Sequence, residues 1–426
     1  MPGQQPVTLR APVVPGRLDA LRGVLESGAI SGGRPGAAPP PLRLAQLPGV
    51  HFARLFVLEA MTLQTGEPVP ASLVYMADVD GSVDRHLREL VHRAPGGVDA
   101  VFGHCVGYPT APTVLERLTW LRSHALRPAA YYVHTAGRTL TQIKDEALLY
   151  STLGQIVDTG EVVTAGADPV QLRSRLRDAV LRRAGFGWIR RPPPGPGLVQ
   201  ELRDAANLLL TLAVLIVAIP FVVVPLGVWL VLIRISELRD TQDSGVPDQA
   251  HVDEVRRYED FGAQNPFTAV GEVKSGVVRR LTMRVALAGL GFACRHAFAR
   301  DNLAGVTSIH FARWVPIDDG QRLIFASSYD GSLESYMDDF ISRLSWGINL
   351  VFSNGVGFPR ARWLVLDGSR DEISYKHYLR RHQVPTVVFY SGYPNYSAAN
   401  LDTFTAVHSG IGRQDETSAQ TWLAQL

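Results

Sequence analysis

Lysine is almost missing from this chain. It stands only at Lys144, Lys274 and Lys376, so arginine supplies nearly all of the 42 basic residues. Against 40 acidic residues the formal net charge is +2. That leaves no concentrated basic face of the kind that holds nucleic acid, and no nucleic-acid partner is expected. Cysteine is as scarce. Cys105 and Cys294 have no CxxC spacing and lie in apolar sequence, so two buried free thiols are expected, with neither a disulfide nor a metal site. The start, Met1-Pro2-Gly3-Gln4-Gln5-Pro6, has no basic stretch followed by an apolar core, so no cleavable secretory signal is expected. There is no strand-to-helix GxGxxG, no GK[ST], no GxSxG and no HExxH, which excludes the phosphate cradles and nucleophile or zinc sites those strings build.

One absence is local. From Ala205 to Ile233 no residue is charged, over 29 positions. About 20 apolar residues cross a bilayer as a helix, so this run predicts a transmembrane or membrane-embedded segment. A buried core helix rarely carries so long an apolar run. Pro220 and Pro225 sit near its middle and bend a helix. Two topologies are open: a single span, favoured by Arg182, Arg183, Arg190, Arg191 and Arg203 upstream, or a shallow hairpin or steeply kinked helix that returns both flanks to one side. The second fits better with what flanks the segment, and places the soluble parts at the cytoplasmic side.

Those flanks repeat each other. His51-Phe52-Ala53-Arg54 returns as His310-Phe311-Ala312-Arg313, and Asp80-Gly81-Ser82 as Asp330-Gly331-Ser332. Val106-Gly107-Tyr108-Pro109 returns as Val356-Gly357-Phe358-Pro359. The 20 positions from Gly81 to Val101 recur from Gly331 to Val351. Such spacing implies one folded unit copied. In the first copy, strands are expected at Val50–Val57, Leu73–Ala77, Val98–Cys105 and Ala129–His134, with helices after Ser82 and over Leu115–Leu126. In the second, strands fall at Ile309–Pro316, Arg322–Ser328, Ile348–Ser353 and Thr386–Ser391, with a further one at Ala361–Leu366. Helices fall at Ser332–Leu344 and Ile373–Arg381.

The expected class is α+β: two tandem ferredoxin-like repeats, separated by the transmembrane or membrane-embedded helical segment, that can pair into a pseudo-dimeric barrel. The divisions are a disordered Pro/Gly-rich leader at 1–41, the first repeat at 42–137, a helical and Pro-rich connector at 138–204 and the membrane segment at 205–235. A polar connector at 236–275, an amphipathic helix at 276–299, the second repeat at 300–396 and a C-terminal tail at 397–426 follow. The 276–299 helix, with Arg279, Arg280 and Arg284 at one end and Arg295 and His296 at the other, reads equally as interfacial or as docked on the second repeat.

The candidate ligand-binding residues are His51, Arg54, His310, Arg313 and Trp314. Strand alternation puts His310, Ala312 and Trp314 on one face, and Phe311 and Arg313 on the other. The histidines suit either a satisfied place in the sheet or a haem ligand or proton donor. The arginines suit a helix carboxylate, with Asp84 or Glu334 as mates, or an anionic group of a ligand. Asp330, Glu334 and Asp338 lie four apart, but Arg88 replaces the third in the first copy, which favours capping and a solvated face.

The second copy resembles an uncharacterised bacterial membrane-associated family. The strings that carry this are Gln264-Asn265-Pro266, Arg295-His296-Ala297-Phe298, Ile309-His310-Phe311-Ala312-Arg313-Trp314, Ser328-Tyr329-Asp330-Gly331-Ser332, Glu334-Ser335-Tyr336 and Val356-Gly357-Phe358-Pro359-Arg360, over roughly 264–395. The resemblance implies a distant association with catalase-like or peroxidase-like lipid enzymes and supplies no catalytic residues. Two functions remain open. One is a non-catalytic module at the bacterial inner membrane, its repeats paired within the chain or in a homo-oligomer, binding membrane lipid, a hydrophobic small molecule or a partner protein. The other is a haem-dependent peroxidase- or oxygenase-like enzyme acting on lipid.

Overall fold

Each copy begins earlier than the repeated strings suggest. In the computed structural model, every residue is described except 1–2, 29, 32–33, 36–40, 163–165, 167, 192–197, 242–244, 299–302 and 414; side chains at 30–31, 34–35, 198–201, 203–204, 212, 215, 218–219 and 222 are also outside the description. The expected leader contains a strand, β1 (Gln4–Pro12), and a helix, α1 (Leu18–Ser27). Then come β2 (Val50–Leu58), β3 (Ser72–Asp80), α2 (Val83–Arg93), α3 (Pro95–Phe102), α4 (Val114–Ser123), β4 (Ala130–Val133) and α5 (Leu140–Asp158). Helix α6 (Pro169–Leu181) leads to α7 (Leu198–Leu238) and α8 (Gln249–Arg256).

The second copy repeats the order. Its elements are β5 (Gln264–Glu272), α9 (Val277–His296), β6 (Ile309–Ile317), β7 (Arg322–Asp330), α10 (Leu333–Phe352), α11 (Glu372–His382), β8 (Val388–Ser391) and α12 (Ala398–Gly410), with α13 (Glu416–Leu423) closing the chain. The expected polar connector thus ends in a strand. The expected C-terminal tail is two helices, which pack with α5 and α6 through Leu153, Leu176, Val407 and Trp422.

The fold is mixed α+β with antiparallel sheets. One sheet runs β1-β3-β2-β8 and the other β5-β7-β6-β4. Each therefore ends in a strand from the other copy. Tyr131 of β4 lies opposite Arg313, and Phe389 of β8 opposite Arg54. The closing strands form where the sequence predicts them along the chain but close the sister's sheet. Four-residue strands carry no sequence mark of which partner they join. Among the described residues no ladder joins the two sheets edge to edge, so they form a face-to-face pair and not a closed barrel.

Helices cover the outer faces. Leu21, Leu25, Leu90 and Val98 pack on Leu9, Leu55 and Tyr75 in the first copy; Met283, Leu287, Met337 and Phe340 pack on Phe267, Trp314 and Phe325 in the second. The inner faces meet through Phe56, Leu58, Val74, Met76, Val315, Ile317, Ile324 and Ala326. Strands β2 and β3 are thus covered on both sides, which is why they read as nearly continuous apolar runs.

The recurring strings are joints of this frame. Gly81 (φ 84°) and Gly331 (φ 79°) take the left-handed turn after the strand, a conformation glycine adopts without a Cβ clash. Ser82 and Ser332 then accept from Arg85 N at 3.2 Å and Ser335 N at 3.3 Å, capping α2 and α10. The Val106 and Val356 amides donate to the carbonyls that end β1 and β5, Pro12 at 2.8 Å and Glu272 at 2.9 Å.

The expected strands at Val98–Cys105 and Ile348–Ser353 are helical in both copies, because a short apolar run does not distinguish the two by periodicity. The first copy breaks at Ala94 (φ −134°), before Pro95. The second merely kinks, at the equivalent Leu344 (φ −125°).

Helix α7 is continuous over 41 residues with both prolines inside it, about 60 Å long. The expected hairpin does not form. Among the described residues no helix is long and apolar enough to cross a membrane. The chain that leads toward α7 and the C-terminal end of α7 attach to the same body. Upstream, the Arg191 carbonyl lies 3.1 Å from His408 Nε2 of α12. Downstream, Glu237 accepts from the Trp363 and Leu364 amides at 2.9 and 2.7 Å. Helix α9 is docked: its Met283, Leu287 and Cys294 pack on the second sheet with Ala130 and Tyr132 of β4.

Candidate functional site

The two histidines are equivalent and buried, 0% exposed at His51 and 1% at His310. Each is an extra residue in a β-bulge. The pairing between β2 and β3 shifts between Val50 and Phe52, and that between β6 and β7 between Ile309 and Phe311. A bulge re-aims the side chain it carries. His310 therefore joins Phe311 and Arg313 between the sheets, while Ala312 and Trp314 pack beneath the outer helices. The simple alternation is overturned by that one inserted residue.

Each imidazole faces an aspartate that also serves a helix. His51 Nε2 lies 2.9 Å from Asp80 Oδ1, and Asp80 Oδ2 accepts from the Leu140 amide at 2.9 Å. His310 Nε2 lies 2.7 Å from Asp330 Oδ1, and Asp330 Oδ2 accepts from the Ala398 amide at 2.7 Å. Leu140 and Ala398 open the helices that follow the exchanged strands. A carboxylate at a helix N-terminus is favoured by the free amides and the dipole. The rings pack on Phe52, Phe311 and Tyr393. A glutamine completes each joint: Gln4 Nε2 donates to the Thr135 carbonyl at 2.9 Å, and Gln264 Nε2 to the Tyr393 carbonyl at 3.2 Å.

The arginines are staples between the copies. Arg54 reaches from the first sheet to the Phe267 carbonyl (2.9 Å), the Ser327 carbonyl (2.8 Å) and Ser328 Oγ (2.7 Å) of the second. Arg313 reaches back to the Val7 carbonyl (2.6 Å), the Ala77 carbonyl (3.0 Å) and the Asp78 carboxylate. An aromatic from the exchanged strand lies under each: Phe389 at 5.8 Å from Arg54 and Tyr131 at 5.7 Å from Arg313. Burial pushes the Arg54 guanidinium down to about 10; Asp78 opposes this and Arg313 adds to it.

The expected mates are elsewhere. Asp84 pairs with Arg88 and Arg122, and Glu334 with Lys376. Lys376 also holds Asp338 and Glu372, so the 334–338 carboxylates are a solvated face, as expected, and Asp330 is drawn away to His310.

This arrangement does not fit a haem. Both Nε2 atoms face carboxylates, both rings are enclosed by aromatics, and the space between the sheets is filled by the apolar side chains named above. The thiols of Cys105 and Cys294 are buried and free, each pushed up to about 12 by burial. Among the described residues no group of three His, Cys, Asp or Glu could hold a metal ion.

Of the five candidates, four thus meet between the sheets, and Trp314 alone faces the other way. There it lines an apolar cavity of about 380 Å³ between α7, α9 and α10. No sequence pattern marks this cavity, because its walls come from segments as far apart as Leu226 and Leu364. Comparison with family models, curated proteins and solved structures finds no match.

Proposed function

We propose that this protein is a non-catalytic, membrane-associated module: a duplicated, strand-exchanged scaffold of ferredoxin-like units that holds one apolar helix, α7, in a lipid leaflet and binds hydrophobic molecules there. The carrying observation is the surface of α7. Leu209, Ile216, Val217, Phe221, Val224 and Val228 are each more than half exposed on one helix. Covering each of these side chains is worth about 1.5–3 kcal/mol, so a hydrocarbon environment is strongly favoured over water. The second copy adds to this side. Val277, Leu281 and Val285 form an exposed stripe four residues apart on α9, and Trp346 and Trp363 are about half exposed. Tryptophan suits the boundary between headgroups and acyl chains.

The exchange of strands bears on topology. Both copies are one body, and residues 192–197 reach at most about 25 Å between Arg191 and α7. That is less than the roughly 30 Å of hydrocarbon a bilayer presents. A single crossing with the copies on opposite sides is incompatible with this pairing. Helix α7 then lies along one leaflet with both copies on the same face, and the Arg182, Arg183, Arg190 and Arg191 flank favours the cytoplasmic one. The test is flotation of the full chain with phosphatidylcholine–phosphatidylglycerol vesicles in high salt. Movement with the vesicles supports the reading. Protein left in the aqueous fraction without detergent defeats it.

A further inference from the structure

We infer that the cavity between α7, α9 and α10 takes one hydrocarbon chain. This rests on the membrane-associated reading above and specifies the ligand class. Three small residues on one face of α9, Ala286, Gly289 and Ala293, leave the gap open. Trp229 and Leu230 of α7 form the wall opposite, with Phe340 and Ile348 of α10 between them. Its volume, about 380 Å³, lies near the lower end of the roughly 300–1,000 Å³ that small-molecule sites occupy, which suits one chain better than a diacyl lipid body.

The chemistry of the lining disfavours a charged ligand. No charged side chain lines the cavity. Its one hydroxyl, on Thr282, donates to the Val278 carbonyl at 2.7 Å. Besides that hydroxyl the lining tryptophans carry only indole N–H groups, the Trp314 Nε1 being buried without a partner, so a charged headgroup brought inside would lose its water with no opposite charge offered in return. An alkyl chain has nothing to satisfy, and gains about 0.8 kcal/mol of transfer free energy for each methylene covered. The occupant therefore enters tail first and keeps its headgroup outside. Because α7 forms one wall, the acyl tails of the leaflet lie beside the cavity.

Gly289 offers a clean way to close the site. A Cβ there meets no atom within 4 Å. Leucine at that helical position also improves helix propensity, so Gly289→Leu fills the gap without displacing backbone. The experiment is tryptophan quenching of the full chain in detergent by a dibrominated stearic acid, since Trp229, Trp314 and Trp346 line the cavity. We expect saturable quenching at one equivalent per chain, weakened about tenfold or more in Gly289→Leu and nearly unchanged in Gly289→Ala. Competition by a single-chain lysophospholipid would assign the site to lipid tails; its absence would assign it to free fatty acid. Quenching that never saturates, or that Gly289→Leu leaves unchanged, overturns the inference. Flotation of Gly289→Leu is read in parallel. A variant that floats normally yet loses saturable quenching supports the cavity. A wild-type protein that floats but shows no saturable quenching removes the cavity proposal alone.

Discussion

The two copies share a frame and differ in what they show outside it. In the first, α1 has 10 residues, with Leu21 and Leu25 turned inward. In the second, its counterpart α9 has 20 residues and leaves Val277 75% and Val285 61% exposed. Between the sheets the difference is one of charge. Arg313 meets Asp78, whereas Arg54 finds Ser328 at the equivalent place. The joints that tie the copies together kept their geometry, while the second copy's outer face became apolar around α7. Duplication thus leaves one half free to specialise so long as the exchanged strands still fit.

The largest test of that division is to charge the helix. Replacing Val217, Phe221 and Val224 with Asp adds about 2.5–3.5 kcal/mol at each position for a helix centred in hydrocarbon. Flotation should be abolished while the circular dichroism of the folded body is kept. Next comes the asymmetry of the arginines. Arg313→Met takes the cation from the buried Asp78 carboxylate, leaving it the Tyr131 hydroxyl at 3.1 Å, and should cost about 3 kcal/mol or more in denaturant unfolding. Arg54→Met leaves only neutral acceptors and should cost about 1–3 kcal/mol. Equal losses would mean that the carboxylate adds nothing to the staple.

A third difference is titratable. His86 is stacked on Tyr75, its Nε2 2.8 Å from the Tyr75 hydroxyl, and the second copy has Tyr336 at the matching place. Burial holds the His86 imidazole neutral, pushed down to about 4, with Glu89 opposing weakly. A folded value below the unfolded one means that acid favours the unfolded chain. The contribution is intact above about pH 6.5 and is lost as pH falls toward 4, by about 3 kcal/mol in all. His86→Phe should flatten that part of the stability profile. A last difference lies at the edge of the apolar side. Leu281→Ser with Val285→Ser on α9 should weaken vesicle binding by about 1–2 kcal/mol for each side chain, whereas Leu115→Ser, an exposed leucine of the first copy, should leave it unchanged.

Much of this was legible before any coordinates. Paired strings announced the duplication, and the strands at β2, β3, β6 and β7 followed from their β-branched and aromatic content. The first strand of each copy was harder to see. Gln4-Gln5-Pro6 and Gln264-Asn265-Pro266 share a Gln-x-Pro start, but proline argues against a strand except at an edge, where β1 and β5 lie. The bulges at His51 and His310 were invisible because one extra residue leaves no compositional trace, yet it reverses the face of the side chain. Exchange of β4 and β8 was equally hidden, since both pairings bury the same residues. Arg54 and Arg313 were found as a recurring pair, but their partners are mostly backbone carbonyls, which no sequence pattern marks.

Both copies form one body, which we propose sits on a single face of the membrane. Arg88 and Arg343, each with a side chain 56% exposed, mark the two halves. Cys105 and Cys294 are buried, so the native thiols stay silent to labelling. Arg88→Cys and Arg343→Cys, each in sealed vesicles, can be treated with a membrane-impermeant maleimide. Both should be labelled from the same side; labelling from opposite sides would rule out a shared face.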